Sequence, residues 1–197
     1  MADHGDSMAG HGLVTKQVSM YEETTRVPFI FAGGGIKGDG TNLAEPLITL
    51  LDLLPTLCDY AGVQAPEGLC GKSLMPLLKG ESSDLSRSYV ASEWHTEWGF
   101  TIEPGRMLRT QKYKYILYRE GNGEEFYDLE KDPGETKSLV NDPQYGEIVQ
   151  KHRLLMKKHV EETNDPFFSL GWEADARWRS HKAGYHNHTG PAAPMLG

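Results

Sequence analysis

The spacing of hydrophobic positions divides the chain at about residue 84. Before that point, an apolar run at residues 27–32 ends at consecutive glycines, which predicts a strand buried on both faces, as in a parallel sheet. Residues 50–62 repeat leucine every three or four positions, which predicts a helix with one apolar face. Asp52 is the predicted N-cap of this helix and Gly62 fits the position after its last turn.

After residue 84, several short apolar segments follow one another with little chain between them. Strands this close, joined by turns such as the glycine-containing one at 121–123, predict an antiparallel meander. Asp142 and Pro143 then open a helix, and apolar residues at helical spacing up to Val160 form a face that could cover one side of the sheet. The predicted strands are 89–94, 107–110, 113–118 and 125–129, and a single helical turn is predicted at 73–78.

We therefore predict an α/β fold built from two parts. Residues 1–83 are a fragment of an α/β sheet domain. Residues 84–197 are a small α+β subdomain with an antiparallel sheet, a covering helix and a tail without periodicity.

Composition narrows the class of protein. A formal charge of −8 over 197 residues argues against a nucleic-acid partner, whose phosphates require a basic surface. Because no run of about 18 apolar residues occurs, no membrane span is expected, and no secretory signal is recognisable. Cys58 and Cys70 lack a CxxC spacing, so a zinc site is not expected. Free thiols are the first interpretation and a disulfide the alternative.

The candidate chemistry lies near the start of the sequence. Asp3 and His4 precede Gly5, an arrangement that can present an oxygen and a nitrogen to one cation, although such segments also form ordinary turns. Lys16 could hold a negatively charged ester oxygen beside a metal, or could be a surface lysine.

Histidines later in the chain are further candidates. His95, flanked by tryptophans, could bind a sugar or aryl ring or could pack in the core. The tail histidines, His181, His186 and His188, suggest a weak metal site or a disordered tail.

Taken together, the motifs resemble the sulfatase family in order and spacing over residues 3 to about 165. The resemblance begins with the Asp-His-Gly and His-Gly elements and Lys16, and it continues through the 27–32 segment and the 50–62 helix. The remaining matching segments are 21–28, 66–78, 109–110, 113–115, 125–129 and 132–135.

This resemblance implies specific roles for the candidate residues. Asp3 and His4 are implied as ligands of a calcium or magnesium ion, and Lys16 as the residue that contacts the sulfate during catalysis. We assign His11 and His95 to substrate binding, with packing beneath the pocket as the alternative for His11, and we expect Asp6 to support the loop. The family fold implies that the first part belongs to an alkaline-phosphatase-like sheet and the second to a C-terminal subdomain. The implied substrate is a sulfated carbohydrate or small ester, and the implied location of the parent enzyme is periplasmic, secreted or lysosomal.

One family motif does not occur in these residues. Sulfatases use a formylglycine made from the first residue of a Cys/Ser-x-Pro/Ala-x-Arg motif, and neither Cys58 nor Cys70 has that context. We therefore expect the chain to be inactive alone. We also expect self-association, or packing on the N-terminal half of a sulfatase, because Phe29 and Phe31 have little to cover them. The alternatives are a phosphodiesterase or phosphonate hydrolase of the same superfamily, and a non-catalytic binding module.

Overall fold

The computed structural model describes residues 1–16, 19–37, 46–82, 85–94, 104–118 and 123–168. Their helices are α1 (Glu22–Thr25), α2 (Leu53–Ala61), α3 (Met75–Leu78) and α4 (Gly146–Glu162). Their strands are β1 (Val90–Trp94), β2 (Gly105–Arg109), β3 (Tyr113–Tyr118) and β4 (Glu124–Asp128). Short 3₁₀ turns cover Gly10–Gly12, Leu50–Asp52, Pro143–Tyr145 and Pro166–Phe168.

The four strands form one antiparallel sheet in the order β1-β2-β3-β4, which confirms the predicted meander. Leu108 lies opposite Tyr115 on the neighbouring strand, and Tyr115 lies opposite Phe126. All three side chains are buried on the same face of the sheet. The two-residue period of the strands thus places these three side chains on one face of the sheet.

Helix α4 covers this face, as predicted. Val149, Met156 and Val160 are buried against the sheet cluster. Asp142 begins the preceding turn, because its carboxylate accepts a hydrogen bond from the backbone N–H of Gln144 at 2.9 Å. Each buried aliphatic side chain of this size contributes about 1.5–3 kcal/mol relative to an exposed one.

The opposite face of the sheet is covered by the segment that precedes α1. Met20 is buried against Met107, Ile116 and Tyr127. A second contact across the predicted boundary is the ion pair in which an Arg87 Nη atom lies 2.6 Å from Asp52. The division into two parts at residue 83/84 stays a prediction. In the structure the two parts are joined by the packing of Met20 and by the Arg87–Asp52 ion pair.

Helix α2 has the predicted boundaries and an unexpected orientation. Gly62 ends it in the left-handed conformation, φ 67°, as predicted. The apolar stripe, however, faces outward: Leu54, Leu57 and Tyr60 are 47%, 49% and 52% exposed. The helix is held instead by Asp52, which is fully buried at its start and accepts the backbone N–H groups of residues 49 and 72 as well as the Arg87 guanidinium.

The predicted strand at residues 27–32 is wrong. The segment is extended but is not part of a sheet, and Ile30 is 78% exposed. The rings of Phe29 and Phe31 contact each other at 5.0 Å between centroids. A strand needs a neighbour to bond its backbone, and the part of the chain that the structure describes places no strand beside this one.

Two expectations from composition hold within the described residues. Both cysteines are free thiols, Cys58 half-buried and Cys70 exposed. None of the described helices combines the length and apolar character needed to cross a bilayer.

A buried histidine on α4 makes the stability of the fold depend on pH. His152 donates Nδ1–H to the Ile148 carbonyl at 2.8 Å, and its Nε2 is buried without a partner in the described structure. Burial lowers the pKa of His152, so the unfolded chain binds more protons below the ordinary histidine pKa. The free energy of unfolding should therefore decrease as pH falls from 7 to 5, measured by chemical denaturation at each pH.

His152→Phe should make this decrease smaller, because it removes the buried base. The control is His159→Phe on the same helix. Unlike His152, whose Nε2 is buried without a partner among the described residues, His159 has a partner for each ring nitrogen, the Tyr89 hydroxyl and the Glu93 carboxylate. The decrease should persist in the control. An identical pH dependence in His152→Phe and the unmodified chain would contradict the prediction.

Candidate active site

The Asp-His-Gly segment lies directly against α1. The Gly5 N–H donates to the Thr24 carbonyl at 2.9 Å. A Cβ added to Gly5 would lie 1.9 Å from the Glu23 carbonyl oxygen, far inside van der Waals contact. Glycine is therefore required here by the close approach of two backbones, and not only for a sharp turn as the sequence suggested.

The protonation of the His4 ring follows from its neighbours. His4 Nδ1 lies 3.1 Å from the Gly5 carbonyl oxygen, which can only accept, so Nδ1 carries the proton in the neutral ring. The lone pair is then on Nε2. Lys16 Nζ lies 3.0 Å from that nitrogen and donates to it. The structure thus brings together two predicted site residues that are twelve positions apart.

Asp6 supports this arrangement, as expected. Its Oδ1 accepts a hydrogen bond from the Lys16 backbone N–H at 2.8 Å. The intervening loop is constrained, because Met8, Ala9 and His11 all adopt positive φ angles of 47°, 76° and 53°. Non-glycine residues in this region cost energy and are enriched at functional loops.

Asp3 brings a carboxylate to the same ring nitrogen. Asp3 Oδ2 lies 3.6 Å from His4 Nε2, and the side chain is 88% exposed. Hydrogen bonds from the backbone N–H groups of Asp3 and His4 hold the pKa of the Asp3 carboxyl below its ordinary value. Asp3 is therefore an exposed anion at neutral pH.

The chemistry of this pair fits part of a divalent-cation site. A carboxylate oxygen and an unprotonated imidazole nitrogen 3.6 Å apart suit two ligands of one ion. Within the described residues no group of three or more His, Cys, Asp or Glu side chains could hold a metal. Asp3 and His4 would therefore be two of the several ligands that calcium or magnesium requires. Because Lys16 contacts the same Nε2, an ion there would have to displace the ammonium from His4.

His11 is packed beside this site. Its ring stacks on Tyr21 with centroids 3.7 Å apart, and its Nε2 lies 3.8 Å from a Glu23 carboxylate oxygen. Its predicted role in substrate binding stays a prediction. His95 and the three tail histidines lie outside the described residues.

A buried group of charges next to the site was not anticipated from the sequence. Lys114 on β3 contacts two carboxylates, Glu22 on α1 and Glu135 in the turn after β4. The only hint was a lysine between two tyrosines in a predicted strand. Glu22 also meets Arg26, whose Nη1 lies 3.9 Å from Glu22 Oε2.

Comparison with known proteins identifies the family of the chain. The family model of the C-terminal domain of N-sulphoglucosamine sulphohydrolase matches residues 9–164. The chain therefore belongs to the sulfatase family and carries the C-terminal portion of its fold. The predicted α/β class is confirmed, since the structural neighbours are sulfatases of the alkaline-phosphatase-like fold.

Three known proteins illustrate the similarity. The chain is 51% identical over 98% of its length to the Delta 4,5-hexuronate-2-O-sulfatase of Bacteroides thetaiotaomicron, of which it covers 40%. It is 32% identical over 82% of its length to an arylsulfatase of Clostridium perfringens, of which it covers 33%. The solved structure of a 2-O GAG sulfatase superposes with a TM-score of 0.82 at 51% identity, covering 90% of this chain and 39% of the other. The chain thus spans well under half the length of these relatives.

Proposed function

We propose that this chain forms part of the active site of a sulfatase that removes the 2-O-sulfate from a Δ4,5-unsaturated hexuronate. The observation that carries the proposal is the contact between Lys16 Nζ and His4 Nε2 beside the exposed Asp3 carboxylate. Support for the substrate comes from the relative at 51% identity, a Delta 4,5-hexuronate-2-O-sulfatase.

Lys16 has the chemistry needed to contact the sulfate. A sulfate monoester carries one negative charge, which moves toward the bridging oxygen as the S–O bond breaks. The Lys16 ammonium has three N–H donors, and once a metal ion displaces it from His4 Nε2 these donors are available for the ester oxygens. A cation held beside the sulfate stabilises the developing charge, which is the main source of catalysis in such sites.

Asp3 and His4 are the residues that would hold the metal ion. In the neutral ring, the hydrogen bond from His4 Nδ1 to the Gly5 carbonyl leaves the lone pair on Nε2, and the lowered pKa of Asp3 keeps its carboxylate charged. When bound, calcium or magnesium supplies Lewis-acid polarisation of the sulfate oxygens. We assign both residues to this role and Lys16 to the sulfate.

In this proposal the nucleophile lies outside these 197 residues. No Cys/Ser-x-Pro/Ala-x-Arg motif occurs among the 197 residues, and Cys58 is part of α2. We propose that the chain contributes metal and sulfate contacts, and that the formylglycine expected of a sulfatase is contributed by a segment that carries this motif. The 197-residue chain alone should therefore show no turnover.

A chimaera tests this function. Residues 1–197 would replace the matching C-terminal region of the Bacteroides thetaiotaomicron relative, which 51% identity makes feasible. We expect the chimaera to release sulfate from a 2-O-sulfated Δ4,5-unsaturated hexuronate disaccharide, measured by ion chromatography, and the isolated chain to release none. D-glucosamine-2-N,6-O-disulfate, the substrate of a structural neighbour at 26% identity, is the comparison substrate and should react much more slowly.

Either of two results would contradict the proposal. A folded chimaera without activity on any sulfate ester would remove the assignment of Asp3, His4 and Lys16 to a sulfatase site. Faster reaction with the glucosamine disulfate would be consistent with a sulfatase but would contradict the proposed hexuronate substrate.

A further inference from the structure

The buried charges around Lys114 link the sheet to the segment that carries the candidate site. Lys114 Nζ lies 2.9 Å from Glu22 Oε1 and 2.9 Å from Glu135 Oε1, and donates to the Met20 carbonyl at 3.0 Å. Glu135 Oε2 in turn accepts the Glu22 backbone N–H at 2.6 Å. Lys114 on β3 therefore holds the side chain of Glu22, and Glu135 in the turn after β4 holds its backbone.

These groups are removed from water. The Lys114 and Glu135 side chains are fully buried, and Glu22 is 14% exposed. Burial raises the pKa of the Glu135 carboxyl. Burial also acts against the charge of Glu22, but the charge of Lys114, with Arg109 Nε 3.4 Å from Glu22, lowers the pKa of the Glu22 carboxyl. Since an unpaired buried charge is costly, Lys114 and its carboxylates must keep their relative positions while the chain is folded.

From Glu22 the contacts run directly to the site. The preceding residue, Tyr21, stacks on His11. On the other side, Thr24 accepts the Gly5 N–H, and Gly5 fixes the tautomer of the adjacent His4. The loop that carries the candidate ligands therefore meets the sheet through α1, and α1 is held by Lys114.

We propose that Lys114 is a positioning residue of the active site, which holds α1 on the sheet and thereby fixes Asp3, His4 and Lys16. The identity of the positioned groups rests on the proposed function. The competing interpretation is that Lys114 only stabilises the sheet, and would have no more influence on the site loop than any other buried ion pair.

Hydrogen exchange of the 197-residue chain separates the two interpretations. In Lys114→Met, peptides covering residues 3–25 should exchange about tenfold faster or more, while peptides of β2, β3 and α4 stay protected. Because the single change leaves buried carboxylates unpaired, Lys114→Met/Glu135→Leu is the second variant. It replaces an ion pair by apolar groups, which often preserves stability, and still removes the link to Glu22.

The matched control is Arg87→Met, which removes another cation from a buried ion pair, with Asp52. It should loosen residues 46–82 and leave the exchange of residues 3–25 unchanged. Unchanged exchange of residues 3–25 in the double variant would overturn the proposal. So would an equal increase in Arg87→Met.

The chimaera provides the catalytic measurement. The double variant should lower kcat about 100-fold, the size of effect expected when reacting groups are misplaced by about 1 Å, with KM changed less than about threefold. Arg87→Met should keep both constants near those of the unmodified chimaera. An unmodified chimaera without activity contradicts the proposed function, and the exchange measurement then still decides whether Lys114 holds the loop. Normal kcat in a double variant whose loop exchanges faster would overturn the positioning role.

Discussion

Lys16→Ala in the chimaera should reduce kcat/KM for the 2-O-sulfated substrate by about 100- to 1,000-fold. This is the usual loss when one preorganised donor to developing negative charge is removed. Lys16 has this role in our proposal because its ammonium lies 3.0 Å from Nε2 of the candidate metal ligand His4, and its backbone N–H is held by Asp6 at 2.8 Å. The measurement is the initial rate of sulfate release over a range of substrate concentrations.

The control for this substitution is Lys151→Ala, on the exposed surface of α4. It removes the same charge and should leave the rate unchanged. Metal affinity gives a second readout: since the ammonium occupies the nitrogen that an ion would need, Lys16→Ala should bind calcium at least as tightly as the unmodified protein. Turnover within about threefold of the unmodified chimaera would show that Lys16 is not the sulfate contact.

Gly5→Ala should be almost as damaging, although it adds a single methyl group. Its Cβ would lie 1.9 Å from the Glu23 carbonyl, so one of the two backbones has to move. Movement breaks the hydrogen bond to Thr24 and displaces the adjacent His4. We expect kcat/KM of the chimaera to fall about 100-fold, because a shift of about 1 Å in a catalytic group has effects of that size.

The matched control is Gly146→Ala at the start of α4, where an added Cβ meets nothing within 4 Å. This change should leave activity unchanged and stability equal or slightly higher. Circular dichroism would establish that both variants retain the fold. Full activity of Gly5→Ala would mean that the close approach to Glu23 is not maintained during catalysis.

The sheet and α4 could be predicted because their signals are local. Each strand is a short apolar segment bounded by turn residues, and Asp142 with Pro143 begins the 3₁₀ turn that leads into α4. Gly62 likewise ends α2 in the left-handed conformation, which glycine adopts at little energetic cost. None of these features depends on which distant part of the chain packs nearby.

The features that sequence reasoning missed depend on distant contacts. The apolar run at 27–32 reads as a strand, but strand formation requires a neighbour that the described residues do not provide. The leucines of α2 predicted a buried face, while the structure buries Asp52 because Arg87 is available to pair with it. Lys114 meets Glu22 across 92 sequence positions, and no spacing rule connects them.

The candidate site was identified by resemblance rather than by periodicity. Asp3, His4 and Lys16 were marked as a set, and the structure places them around one ring nitrogen. The sequence does not show that His4 is shared, because the proposed metal ligand and the Lys16 contact use the same ring nitrogen. No spacing in the sequence connects Lys114 on β3 with the segment that carries these residues.

Glu135 illustrates a consequence for protein engineering. Its backbone has φ 50°, a conformation that favours glycine over residues with a Cβ. A redesign guided by backbone preference alone would therefore choose glycine at position 135 and relieve about 1 kcal/mol of strain. That choice would delete the carboxylate that holds both Lys114 and the Glu22 backbone. Thermostabilisation of this domain should accordingly leave position 135 unchanged, because the local strain there serves the geometry of a distant loop.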